Sequence, residues 1–228
     1  MSNRLDTIVG FVDKNKSVAD IGTDHGITAI KIYEEKRPTK IIGTDISKNS
    51  LKKLEDKLAE NKYKIETMVT DGIYELEEFS PQVIIISGMG GHLVSEIIAK
   101  GIKVAKNADK LILQANNSLS HLRKFLHENS FEIVDEKLAY DDEIYYDVIV
   151  ARYSSKGVEP YDKDYQYEFG KLIIDNKDPL LTDKINKIST ISQNIKRQIK
   201  DLNTESSQRR ITEIDQEDQM LKEVLTCL

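Results

Sequence analysis

What most restricts the fold of this 228-residue chain is an alternation that runs through residues 17–129. Apolar stretches of strand length, each ending in glycine, an acid or an amide, are followed by amphipathic stretches of helix length. "SVADIG" (17–22), "KIIGTDI" (40–46), "KIETMVTDG" (64–72), "PQVIIISGMGG" (81–91) and "KLILQANN" (110–117) read as strands. Helical periodicity falls at 29–35, 47–62, 93–105 and 119–129. The second of these opens on Ser47 as N-cap and carries Leu51, Leu54 and Leu58 on one face. Parallel strands need crossover connections, so the alternation predicts a mostly parallel sheet with helices on its faces. The fourth run is apolar at consecutive positions, as a strand buried on both faces would be. Residues 130–153 then read as two strands turning around Asp141-Asp142, a terminal hairpin. Leu5, Ile8, Val9 and Val12 give a short helix before the first strand.

Residues 157–163, with Gly157 and Pro160, read as a linker, and strand signals stop beyond it. Ile185, Ile188, Ile191, Ile195, Ile199 and Leu202 mark one face of a long helix. A polar break at 203–207 precedes a second stripe of Ile211, Ile214, Leu221 and Leu225. An antiparallel helix pair is the simplest arrangement. The expected organisation is an α/β, Rossmann-like domain over 1–156 and a small all-α, coiled-coil-like unit over 157–228.

Composition bounds the function. The net charge of −6 gives no global signature of nucleic-acid binding, although a local basic stripe is compatible with it. The single cysteine, Cys227, rules out an intrachain disulfide framework and fits a reducing compartment. No stretch has signal-peptide or membrane-spanning character, and a cytoplasmic protein is expected, with a monomer favoured over a homo-oligomer. No set of His, Cys and acids has metal-ligand spacing, so no metal is expected.

In an open parallel sheet, ligands bind beyond the carboxyl ends of the strands, where the strand order reverses. The polar residues of the five runs fall there. Gly22 lets backbone approach a ligand. Asp45, 23 residues after Gly22, is placed to accept from both ribose hydroxyls and would repel a 2′-phosphate. Asp71-Gly72 can accept from an adenine amine and leave room for the ring. Together they describe an adenosine pocket. A dinucleotide would also need a glycine where "GTDHG" has Asp24, because the pyrophosphate passes there. S-adenosylmethionine carries no phosphate and brings an ammonium and a sulfonium, so Asp20 and Asp24 suit it. The glycines flanking Met89 in "GMGG" (88–91) suggest a slot for a flat substrate. Singly, any of these acids would be an ordinary cap or turn residue. His92, His121 and His127 read as surface or packing residues.

At this point the sequence resembles the bacterial tRNA (adenine-22-N1)-methyltransferase family, TrmK. The residues that carry the likeness are "RL" near the start, "VADIGTDHG", "SGMGGHL", "LILQANN" with the following "LRKFL", and "YYDVIV". It covers about residues 1–153, and the "DIGTDH" and "GMGG" pair is its specific part. Three departures stand out: "DHGIT" (24–28) replaces the usual "DHAxLP", Gln114-Ala115 replaces Gln-Pro, and Asp45 stands where Glu is common. The resemblance implies a class I methyltransferase domain followed by a helical one, with S-adenosylmethionine as cofactor and tRNA as partner. Asp20, Gly22, Thr23, Asp45, Ile46, Asp71, Gly72 and Gly88 would line the cofactor site. Asp24 and His25 would face the transferring methyl or the base.

Adenine N1 already has a lone pair, so transfer needs alignment more than a strong base. Its product is cationic, and a carboxylate would stabilise the developing charge. Asp24 is the expected catalytic residue, with His25 orienting it. Arg4, Met89, Gly90, Gln114, Asn116 and Asn117 are the expected substrate contacts around the base. A base within folded RNA must be unstacked, by a protein that grips the backbone. Lys196, Arg197 and Lys200, in a locally basic stretch (184–210), are the candidate grip; a dimerising coiled coil is the alternative. The competing functions are an NAD-linked oxidoreductase and a noncatalytic RNA-binding protein retaining the fold. No Asn/Asp-Pro-Pro-aromatic motif follows the fourth strand, which argues against an exocyclic nitrogen as target.

Overall fold

A computed structural model describes residues 3–61, 63–202 and 204–228. The chain divides into two compact units, one ending at Pro160 and the other spanning Tyr161–Leu228.

The first unit is built on seven strands: β1 (Ser17–Ile21), β2 (Lys40–Asp45), β3 (Glu66–Val69), β4 (Val83–Met89), β5 (Lys110–Ala115), β6 (Phe131–Asp141) and β7 (Ile144–Tyr153). Their order in the sheet is β3-β2-β1-β4-β5-β7-β6. The first five are parallel, and β7 runs antiparallel to β5 and to β6. Order reverses between β1 and β4, which makes their carboxyl ends the switch point. The hairpin turns one residue later than the sequence suggests, at Asp142 and Glu143, whose φ values of 47° and 62° are those of a two-residue turn matched to strand twist.

Central strands are apolar without alternation because helices cover both faces. Val18, Ala19, Ile84, Ile85, Ile86, Leu111, Ile112 and Leu113 are all fully buried. The helices of this unit are α1 (Arg4–Gly10), α2 (Ile27–Lys36), α3 (Lys48–Asn61), α4 (Gly91–Lys100), α5 (Ile102–Asn107) and α6 (Leu119–Glu128). Leu51, Leu54 and Leu58 of α3 face the core, as their spacing requires. The last residue of the expected 47–62 helix lies outside the described residues.

The stretch expected as one helix over 93–105 is two, α4 and α5, broken at Gly101. A Cβ there would come within 2.3 Å of Ile73 Cγ1 and 3.0 Å of the Tyr74 backbone nitrogen, so the loop after β3 packs where a side chain would stand. β3 is also shorter than its apolar run, because Thr70 to Gly72 leave the ladder to form a wall of the cavity described below.

A buried ion network fixes α6 to the hairpin. The Arg123 guanidinium donates to Glu136 (Nε–Oε1 2.7 Å) and Asp147 (Nη2–Oδ2 2.8 Å), all three side chains wholly buried. Burial alone would lower the pKa of Arg123, and the two carboxylates overcome this and raise it.

The second unit contains α7 (Asp164–Phe169), α8 (Lys171–Asp175), α9 (Leu181–Ile199) and α10 (Glu205–Leu225). The short α7 and α8 carry no readable periodicity, yet they supply much of this unit's core: Tyr167, Phe169, Ile173 and Ile174 are buried with Leu181, Ile185, Ile214, Leu221 and Val224. The antiparallel α9–α10 pair is joined by polar contacts. Ser192 donates to Glu217 (2.5 Å), Gln193 to Asp218 and Lys196 to Asp215. The expected apolar stripe is buried only at its start, since Ile191 is 51% and Leu202 59% exposed. The break between the helices falls earlier than 203–207, at 200–204, because the Thr204 side chain caps α10 through the Ser207 N–H; residue 203 is outside the described set.

Candidate active site

At the switch point a cavity of about 340 Å³ opens among the loops after β1, β2, β3 and β4. That volume lies within the range of small-molecule sites. Of the expected residues, Gly22, Asp45, Ile46, Asp71, Gly72, Gly88 and Met89 line it. Ser87, at the polar end of the fourth run, lines it too, as do Thr70, Leu93 and Ile97, which no sequence signal marked.

The turn after β1 is held from below. Asp20 does not reach the cavity; it is buried, and its Oδ2 accepts the Thr23 hydroxyl at 2.6 Å. Burial pushes its carboxyl pKa up to about 6, opposed by hydrogen bonds from Thr23 and the Ala29 backbone. Gly22 and Thr23 donate their N–H groups to the Thr44 carbonyl at 2.8 and 2.9 Å. Asp20 and Thr23 thus shape the turn from beneath. Gly22 has φ +70°, and a Cβ there would fall 2.1 Å from Met89 Cε, so its bare backbone admits the methionine. Gly26, also at φ +70°, is obliged to be glycine by Leu54, whose Cδ1 would lie 2.2 Å from a Cβ.

Asp24 sits at the rim of the cavity in the left-handed region, φ +42°, which Asp tolerates better than most residues. Its N–H donates to Asp45 Oδ2 at 3.3 Å, and its own Oδ2 lies 3.4 Å from His25 Nε2. The Asp24 side chain is exposed and that of His25 half-buried. Asp45 also accepts the Ser47 N–H at 2.7 Å through Oδ1. After the neighbouring strand β3, Asp71 is exposed and takes Lys100 Nζ at 3.0 Å. Ile46, 71% exposed, and Leu93, 46% exposed, offer the cavity mouth an apolar surface suited to a flat ring.

A second cluster borders Gly88. The ladder between β4 and β5 shifts register there, and φ at Gly88 is +80°. Both backbone groups of Gly88 are clamped: its N–H donates to Gln114 Oε1 (3.0 Å), and its carbonyl accepts Asn116 Nδ2 (2.9 Å). Gln114 is fully buried, accepts Arg4 Nη1 at 3.2 Å, and donates to Asn116 Oδ1 at 3.0 Å. With its carbonyl oxygen accepting twice and its amide nitrogen donating to Asn116, it is a buried positioning residue. Arg4 lies over the Tyr146 ring, 5.3 Å from its centroid. Tyr146, at the start of β7, was not anticipated; it is recognisable only once β7 is paired antiparallel to β5, which carries its amino end past Gln114 to the carboxyl edge.

Of the slot expected at the two glycines flanking Met89, packing corrects the Gly90 side, and Gly91 after it is closed as well. A Cβ at Gly91 would meet the Ser118 carbonyl at 2.5 Å, and one at Gly90 would meet Asn117 Oδ1 at 3.1 Å. Those two glycines let the loops after β4 and β5 close on each other. Asn117 belongs to this closure, its carbonyl accepting the Gly91 N–H at 3.1 Å. At Gly88 a Cβ would meet no more than ordinary contact, with Arg4 Nη1 at 3.7 Å. Among the described residues no group of three or more His, Cys, Asp or Glu could hold a metal ion, and no helix is long and apolar enough to cross a membrane.

Lys196, Arg197 and Lys200 lie in the second unit. Lys196 is engaged with Asp215, and Arg197 donates to Asn194 Oδ1 at 2.8 Å. Arg210, in the same basic stretch, pairs with Glu213 at 3.0 Å. Arg197, Lys200 and Arg209 are exposed around the connection between α9 and α10.

A parallel sheet of this order, with carboxylates at the ends of β2 and β3 around one cavity, defines a nucleoside-cofactor domain of the Rossmann-like class. Residues 1–149 match the family described as "Methyltransferase domain", and the chain belongs to it. It is 27% identical to the tRNA (adenine(22)-N(1))-methyltransferase of Bacillus subtilis over 99% of this chain and 97% of the relative. It is 32% identical to a putative tRNA methyltransferase of Mycoplasma genitalium, over 66% of this chain and 69% of that protein. A Streptococcus pneumoniae putative tRNA methyltransferase, solved in complex with S-adenosyl-L-methionine, superposes with a TM-score of 0.82 at 25% identity, covering 97% of this chain and 98% of the other.

Proposed function

We propose that this chain transfers the methyl group of S-adenosylmethionine to N1 of an adenine in tRNA, at position 22, the position named for the Bacillus subtilis relative. The observation that carries the reading is the pairing of the Asp45–Asp71 cavity with a clamped Gly88 edge beside Arg4 and Tyr146.

The residues present fit that cofactor. Asp45 stands where ribose hydroxyls would donate, and Asp71 can accept an exocyclic amine. Gly22 and Gly88 allow backbone approach, and Ile46 and Leu93 provide apolar cover. Asp24 beside Asp45 makes the turn hostile to a pyrophosphate, which disfavours the NAD-linked alternative. When bound, S-adenosylmethionine supplies an electrophilic methyl carbon on a sulfonium.

The protein's part is alignment and charge. Arg4 and Tyr146 border the space beside Gly88, where a flipped base would lie, and Asn116 holds that edge rigid. Adenine N1 attacks with its own lone pair, so no residue need remove a proton. The purine gains positive charge as the bond forms, and the Asp24 carboxylate stabilises it, with His25 limiting its orientation. The basic residues of the second unit, Arg197 and Lys200 foremost, contact the RNA backbone. A monomer suffices for this chemistry, and tRNA as substrate implies the cytoplasm.

The test is incubation of the purified chain with radiolabelled S-adenosylmethionine and unmodified tRNA, followed by nucleoside analysis. Label in 1-methyladenosine supports the reading. Label in another nucleoside replaces the target, and no transfer despite cofactor binding turns the chain into a binding protein.

A further inference from the structure

Within the first unit, two buried side-chain hydroxyls among the described residues have no hydrogen-bond partner in the protein, Thr44 Oγ1 and Thr70 Oγ1. Leaving a buried polar group unmatched costs free energy, and native structures keep few such groups. Thr44 is enclosed within β2 and does not line the cofactor cavity. Thr70 differs, because it is a wall residue of the cofactor cavity although only 6% exposed. Its backbone N–H donates to the Asp45 carbonyl at 3.1 Å, which anchors it beside the carboxylate assigned to the ribose. Asp71, assigned to the adenine amine, follows it directly.

The neighbouring carboxylates do not use this hydroxyl. Asp45 accepts from Ser47 and Asp24, and Asp71 from Lys100. They also cannot complete the recognition of an adenine edge. An ionised carboxylate only accepts, which suits the exocyclic amine but leaves the ring nitrogens, themselves acceptors, without a donor. Thr70 carries a hydroxyl donor with nothing to donate to, at that end of the cavity. Its Oγ1 is shielded from solvent, and a step between staggered χ1 wells re-aims it.

We propose that Thr70 is a specificity residue of the cofactor site, donating its hydroxyl to a ring nitrogen of the adenine whose amine Asp71 accepts. The inference rests on the cofactor reading above and assigns it a contact that neither the motif nor the cavity's carboxylates supply.

Calorimetric titration of the full chain with S-adenosylhomocysteine, as wild type, Thr70→Val and Thr70→Ser, tests it. Valine keeps the shape and removes the hydroxyl. One neutral hydrogen bond predicts affinity weakened about three- to tenfold for Thr70→Val and nearly retained for Thr70→Ser. The melting temperature of ligand-free Thr70→Val should be no lower than wild type, because the substitution removes a buried unmatched group. Wild-type affinity in a folded Thr70→Val overturns the inference and leaves the cofactor reading standing. Wild-type protein that does not bind the ligand overturns both. Analogues with the 1-, 3- or 7-nitrogen of the purine replaced by CH give a second measurement that needs no variant. One of them should lose affinity by a similar factor, and equal binding of all three would overturn the assignment.

Discussion

Replacing Asp20 by asparagine should make the protein more stable at neutral pH and flatten part of its stability profile. The Asp20 carboxyl is buried beneath the first turn, and its pKa is raised from 3.8 to about 6. For an acid raised in the folded state, the folded chain keeps its proton where the unfolded chain has lost it. The folded form therefore binds more protons between about pH 4 and pH 6, and stability falls as pH rises through that window. Above about pH 6 the loss is complete, and at roughly 1.4 kcal/mol per pH unit it amounts to about 3 kcal/mol. Asparagine has no charge to bury. Its amide oxygen can face the Ala29 N–H while its nitrogen donates to Thr23 Oγ1, so the turn keeps its shape. The assay is urea denaturation of both proteins at several pH values, with the difference between them cancelling every other titration. The advantage of Asp20→Asn should be about 3 kcal/mol near pH 7.5 and shrink to about 1 kcal/mol near pH 4.5. A constant difference, or a variant less stable by the same amount throughout, would refute the view that burial dominates this carboxyl.

Asp24→Ala should abolish methyl transfer while cofactor affinity stays close to wild type, since its carboxylate stands outside the cavity lining; a lost titration signal would make it a cofactor residue instead. Gly26→Ala forces a left-handed residue onto Leu54, and denaturation should show a cost of about 2–4 kcal/mol. Arg123→Met leaves Glu136 and Asp147 buried without their cation, so unfolding free energy should drop by about 3–5 kcal/mol, whereas a drop under about 1 kcal/mol would mean the network is relaxed by water.

The sheet was legible because its signals are local. Continuous apolar runs such as "VIIIS" need two covered faces, and the glycines and acids that close each run sit at carboxyl ends by chain direction alone. From that placement Gly22, Asp45, Asp71 and Gly88 could be assigned to one site before any coordinates. The helical unit was half legible. The stripe of α9 gives its helicity, but its pairing with α10 runs through Ser192, Gln193 and Lys196, polar residues that no hydrophobic pattern marks. α7 and α8 are too short to express a period, and their core role comes from contacts with residues far along the chain.

By itself the sequence determined the class of fold, the order of its elements and the edge of the sheet where chemistry occurs, because periodicity and strand polarity are properties of neighbouring residues. Only the tertiary structure decided which polar groups on that edge are free to act. Asp20 is lost to burial and Gln114 to the clamp on Gly88. Gly90 and Gly91 are taken up by the closure of two loops. Thr70 and Tyr146 enter the site through strands distant in sequence. A side chain's freedom depends on which donors, acceptors and surfaces arrive beside it, and those arrive from elsewhere in the chain.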